Sequence, residues 1–274
     1  MNKNTLLAGL AALAGMFGQT AVAVEVAKVS DFKRLSYNID RSKQGLENAR
    51  YVVDLSQWPT SVTSWCEGEK LYNLPFCGGK KEDDQNRTIS KQVTFAPDKR
   101  HAPTHLQVDA VVQWQNDKVL RTHNINYRDD HKRIKASLKS KAGNGALLSK
   151  ANIISDQPIT LITLEAMLLN VMSGKSFKSA DNLHWFEPKR SKRMKWVYVG
   201  PDSPSIKGNY PKAKADKWTV NHYNPHNGAQ TEMFTVYFNQ RGLPLVVQAN
   251  SGKWVMALDK VIENNQRKTA LQIW

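Results

Sequence analysis

The sequence predicts a mainly β protein of the α+β type: a strongly curved antiparallel sheet, a half-barrel, wrapped around one buried apolar helix. Three observations carry this. Most of the chain breaks into short runs rich in β-branched and aromatic residues, punctuated by Gly, Pro, Asn and Asp. The C-terminal runs are apolar on both faces. Phe234, Val236 and Phe238 back onto Met233 and Tyr237; Leu243, Leu245 and Val247 back onto Val246; Trp254, Met256 and Leu258 back onto Val255 and Ala257. An antiparallel sheet with one wet face alternates cleanly, so a second cover is required. Finally, one long stretch, residues 155–177, repeats its apolar residues at helical spacing. A sheet curled around that helix covers one face and can shelter an apolar hollow.

The chain opens "MNKNTLLAGLAALAGMFGQTAVA". Lys3, an apolar run and Ala21-Val22-Ala23 form a three-part secretory signal, cleaved after Ala23. The run is short for a membrane span, and no Cys follows it for lipoprotein processing. Residues 24–274 are therefore expected as a single β-rich domain in the periplasm or outside the cell, with no transmembrane segment after cleavage.

"RLSYNIDRSKQGLENARYVVDLS" (34–56) reads as two strands bent at Gly45. "SWCEGEKLYNLPFCGG" holds both cysteines of the chain, Cys66 and Cys77. In an oxidising compartment that pair reads as a disulfide. Two thiols are half a zinc shell, and the spacing is not C-x-x-C. "KKEDDQNR" (80–87) is a solvated charge cluster, and "TISKQVTFAP" (88–97) is a strand. In residues 104–127, Leu106, Val108, Ala110, Val112 and Trp114 share a face of a hairpin turning near Asn116-Asp117. Residues 128–141 read as a short helix or an exposed edge.

The helix is expected over 158–173. Ser155 or Asp156 would cap it, Pro158 suits its first turn and Gly174 its end. Leu161, Leu164, Leu168 and Val171 or Met172 recur along it, with Glu165 and Asn170 as polar exceptions. Strands follow at 187–200, 218–223, 231–238, 243–249, 253–264 and 269–274, with a long Pro- and Lys-rich surface loop at 201–217. Trp274 is expected to tie the last strand into the sheet.

Catalytic patterns do not emerge. No G-x-S-x-G, S-x-x-K, H-E-x-x-H or P-loop motif is present. His101 and His105, like His222 and His226, have metal-pair spacing, but each pair contains a proline and lacks a third ligand. Asp83-Asp84 and Asp129-Asp130 sit in solvated charge runs, and a disulfide leaves no thiol nucleophile. A non-enzymatic protein without metal or cofactor is expected. The net charge of +15 favours anionic partners. Lys189, Arg190, Lys192, Arg193 and Lys195 abut Trp185, Phe186 and Trp196, either as the flank of an exposed hairpin or as a holder of anionic groups.

The order of elements, together with Gly242-Leu243-Pro244-Leu245 between two C-terminal strands, resembles the unclosed-barrel periplasmic proteins of the LolA/LolB type and the uncharacterised periplasmic families near them. The disulfide loop and the basic 187–217 region are additions to that pattern. The resemblance implies a binder of acyl chains or another apolar envelope component. The expected lining is Met167, Leu168, Met172, Phe234, Val236, Phe238, Trp254 and Met256, with anionic headgroups meeting Lys189, Arg190 or Arg193. Two alternatives stand beside it: a basic module for anionic polysaccharide or nucleic acid, and a hydrolase whose site is assembled from distant residues.

Overall fold

The computed structural model describes residues 29–77, 88–96, 109–115, 120–128, 133–140, 147–154, 160–165, 168, 183–187, 190–208, 210–224 and 226–274. Its strands are β1 (Phe32–Asp40), β2 (Ala49–Asp54), β3 (Ser61–Glu67), β4 (Thr88–Ala96), β5 (Asp109–Gln115), β6 (Leu120–Arg128), β7 (Arg133–Ser140) and β8 (Leu147–Ile154). They continue with β9 (Thr160–Ile162), β10 (Leu183–Glu187), β11 (Arg190–Asp202), β12 (Ala215–Tyr223), β13 (Gln230–Phe238), β14 (Pro244–Ala249), β15 (Val255–Glu263) and β16 (Gln266–Thr269). All belong to one sheet, ordered β8-β7-β6-β5-β4-β3-β2-β1-β15-β14-β13-β12-β11-β10-β9. Two meanders meet where β1 pairs with β15, from Phe32 opposite Glu263 to Asp40 opposite Val255. The far edge of β15 is shared. Val255, Met256 and Ala257 face β14, while residues 260–263 face β16. Every pairing is antiparallel except β9 with β10.

The topology forces the sheet to curl. β8 and β9 end the strand order on opposite sides, and laid flat they would stand roughly 65 Å apart at about 4.8 Å per strand. Only five residues separate Ile154 from Thr160, so the chain holds them within about 22 Å. A second constraint agrees. Glu165, three residues beyond β9, touches Tyr51 on β2, Ser64 on β3 and Lys91 on β4. In a flat sheet β4 and β9 would lie nearly 50 Å apart. The sheet is therefore rolled into an open barrel, its β8 and β9 edges unpaired with each other.

The concave face carries the core. Leu35, Tyr37 and Ile39 of β1, Tyr51 and Val53 of β2, Met256 and Leu258 of β15 and Val236 of β13 are all buried. The convex face of the C-terminal strands is also apolar, with Tyr237, Val246 and Ala257 in register and buried. The loop 203–214 and the chain end cover it. Asn38, which pairs with Ala257, donates to the Tyr210 hydroxyl (3.4 Å), and the Tyr210 ring meets Trp274 at 5.3 Å. Trp274 Nε1 donates to the Leu258 carbonyl (3.2 Å), and Ile206 and Ile273 pack against the core.

Several expectations need correcting. Thr160–Ile162 is a strand, so the helical stretch does not begin at 158. Thr163 is buried, Leu164, Glu165 and Leu168 have helical backbone and are buried, and residues 158, 159, 166, 167 and 169–173 fall outside the described residues. The clearly described helix is a single turn, Ala270–Ile273, where a strand was expected; Thr269 caps it and Gln272 returns the bond. β16 lies just before it. Residues 133–140 are neither helix nor edge, because β7 pairs with β6 on one side and β8 on the other.

Candidate functional site

Among the described residues, the concave interior holds a polar centre around Glu165. Tyr51 Oη donates to Glu165 Oε1 (2.5 Å), Ser64 Oγ donates to the same oxygen (2.7 Å), and Lys91 Nζ lies 2.6 Å from it. Lys91 also donates to the Phe76 carbonyl (3.0 Å). Burial alone would raise the Glu165 carboxyl. The adjacent Lys91 ammonium and the bonds from Tyr51 and Ser64 outweigh it and hold the group below its ordinary value. Burial and the Glu165 charge push the Tyr51 phenol well up. A charge pair this deep persists because its partners are supplied by three strands and a loop. All three donors converge on Oε1, and Glu165 Oε2 is buried without a hydrogen-bond partner among the described residues.

The Cys66–Cys77 disulfide explains how the loop reaches this centre. Cys66 stands on the concave face of β3, and the bond draws residues 71–77 inward, burying Leu71, Leu74 and Phe76. Phe76 packs edge-on against Tyr51 and Trp254, both at 5.2 Å. The loop and the Leu164–Leu168 stretch together form an interior plug against β1–β4.

Beyond the plug the concave face continues. Strand register carries it from Val93 to Val112, His123, Leu138 and Ser149. The next row runs Ala110, Ile125, Ala136 and Ala151, and a third holds Tyr127, Ile134 and Ile153. Positions on the opposite face of β6–β8 include Arg128, Arg133, Lys135, Lys139 and Lys150, with no Asp or Glu. Register thus continues the rows of the concave face of β4 through β5–β8.

The predicted lining divides as follows. Leu168, Phe234, Val236, Phe238, Trp254 and Met256 are brought together in one buried apolar cluster. Trp196 and Trp218 extend it, Trp196 lying 6.3 Å from Phe238. Met167 and Met172 lie outside the described residues, as does Lys189. Arg190 and Arg193 occupy opposite faces of β11: Arg190 shares its parity with the buried Met194 and Trp196, while Arg193 pairs with His184 on the convex side. Arg190 and Arg193 therefore stand at positions of opposite parity on β11. His101 and His105 also fall outside the described residues.

Sequence reasoning missed Tyr51, Ser64 and Lys91 and treated Glu165 as an exception. A signal existed. Ile89, Lys91 and Val93 alternate on one face of β4, which puts a lysine in an apolar row, and Glu165 interrupts an apolar run of the same chain. Two opposite charges stranded on two apolar faces are candidates for each other.

No protein-family model matches the chain, and no curated protein matches it. Among solved structures it is similar to a crystal structure of a beta-barrel-like protein of the domain of unknown function DUF1849 from Brucella abortus. That similarity is 13% in sequence, covers 84% of this chain and 95% of the other, and has a TM-score of 0.42.

Proposed function

We propose that the protein is a non-enzymatic binding protein of the cell envelope, exported by its leader, that holds a lipid-like or amphipathic ligand against its concave face. One observation carries the reading: inside the rolled, open sheet Leu168, Phe234, Val236, Phe238, Trp254 and Met256 meet in one apolar cluster. Barrels of about eight strands are filled by their own side chains, whereas those of sixteen or more leave a lumen. The rolled path here has fifteen strands, nearly twice eight, with β16 off it, and the plug packs against β1–β4. The ligand's chains lie on the Ala110–Ile125–Ala136–Ala151 row and against the plug at Leu168. Glu165 Oε2 and Trp196 Nε1, both buried without hydrogen-bond partners, suit a ligand with an apolar body and few polar groups. Arg190, at the parity of Met194 and Trp196 on β11, is the cation we assign to an anionic headgroup.

Titration with a fluorescent fatty-acid probe tests this. Binding with saturable enhancement is expected, reduced at least tenfold by Ala136→Trp, which fills the small-residue row. Absence of probe binding, or equal binding by the filled variant, contradicts the proposal.

A further inference from the structure

The convex face holds a second, chemically different concavity. A groove of about 250 Å³ opens over β1, β2, β3, β15 and β16. Val52 and Ser36 are at its base, Val52 being 3% exposed although it points away from the core. Trp65 stands beside them and is fixed from two sides. Its Nε1 donates to Glu67 Oε1 (2.7 Å), and the Arg34 guanidinium lies 5.4 Å over its ring. Arg34 is itself clamped by Asp54 through Nε (3.2 Å) and Nη2 (2.8 Å). The remaining cations are held loosely. Arg50 reaches Glu67 at 3.5 Å with its side chain 51% exposed, Lys260 reaches its neighbour Asp259 at 3.3 Å, and Arg267 is exposed on β16.

We propose that this groove binds a sugar residue bearing a carboxylate, as one unit of an acidic glycan. The chemistry selects that class. Arg267, Arg50 and Lys260 give the groove an excess of positive charge for one anionic group. Trp65 and the Val52 methyls give an apolar patch for the C–H face of a ring. Glu67 and Asp259 accept hydrogen bonds from hydroxyls, which a sugar ring offers on several carbons. The volume suits a single ring better than an acyl chain. The site lies on the opposite face from the interior and does not rest on the lipid reading.

Calorimetric titration of the full chain with tri-galacturonate, and with its carboxyl-reduced counterpart, tests the assignment. The acidic trimer binds, and the reduced trimer binds at least tenfold more weakly. Arg267→Glu weakens the acidic trimer about tenfold with an unchanged thermal midpoint and unchanged fatty-acid probe binding. Lys214→Glu, the same charge change on an exposed loop residue outside the groove, leaves it within twofold. Four results overturn the proposal: no binding at millimolar trimer, equal binding of the reduced trimer, equal loss in both charge variants, or displacement of the trimer by single-stranded DNA at equal charge concentration.

Discussion

Lys91 Nζ lies 2.6 Å from Glu165 Oε1, with the two side chains 6% and 0% exposed. The bond joins β4 to a segment that leaves the sheet ten strands away. It is a staple across the roll of the sheet, and its geometry exists only if the sheet is curled. Its energetic role follows from burial. A buried pair is costly to break on one side and inexpensive to replace whole.

Lys91→Met is therefore expected to lose about 3–5 kcal/mol, because it leaves the Glu165 carboxylate buried and uncompensated. The double variant Lys91→Met, Glu165→Gln should recover most of that loss. Urea unfolding of the wild type, both single variants and the double variant measures the coupling. Additive losses would show that the two groups do not act as a pair.

The same centre sets an acid limit. Glu165 titrates below its ordinary value of 4.5 in the folded chain. The folded state then binds protons less readily than the unfolded one. Its stabilisation is present above that ordinary value and is lost as the pH falls through the lower folded value. Asp54 behaves likewise, since bonds from Ser56 and Arg34 overcome its burial, as does Glu263, held by Arg241 and Lys268. The gap in thermal midpoint between wild type and Glu165→Gln should be widest above pH 5 and close on acidification. A gap independent of pH would exclude Glu165 as a contributor.

Reduction of Cys66–Cys77 should cost roughly 2–3 kcal/mol, as for a short closed loop. Because the loop supplies the Phe76 carbonyl to Lys91, the cost should be smaller in the Lys91→Met, Glu165→Gln background. Thermal melts with and without reductant in the two backgrounds give the comparison. Identical shifts would separate the loop from the polar centre.

On the convex side, Trp274→Ala removes the Tyr210 contact and the bond to the Leu258 carbonyl. The expected loss is about 2 kcal/mol from the lost apolar burial, with increased dye binding as the Val246–Ala257 surface is bared. Unchanged stability would mean that the 203–214 loop alone suffices as cover.

The strands were legible where alternation is local. β1, β2, β13, β14 and β15 each show apolar residues in register with a turn signal between them, Gly45 at φ 65° and Gly242 at φ 78° among them. The need for a second cover was legible too, because Tyr237, Val246 and Ala257 had no polar alternative. Its identity was not: a Pro- and Lys-rich loop and a C-terminal turn cover it through three aromatic or amide contacts that no periodicity announces. β7 was misread because Arg133, Lys135 and Lys139 suggest solvent on both sides, whereas they occupy one face and Ile134, Ala136 and Leu138 the other. The 158–173 stretch misled for a physical reason. Thr160, Leu161 and Ile162 suit a strand as well as a helix turn, and pairing with β10 decides between them. The polar centre needed contacts across the roll of the sheet, which strand pairing alone does not encode.

Native mass spectrometry of the full-length protein, purified from its own envelope without detergent exchange, tests the central claim most directly. The account predicts a bound, organic-extractable adduct of lipid-like mass that a fatty-acid probe displaces. A single unliganded mass, together with no probe binding to the same sample, would contradict it.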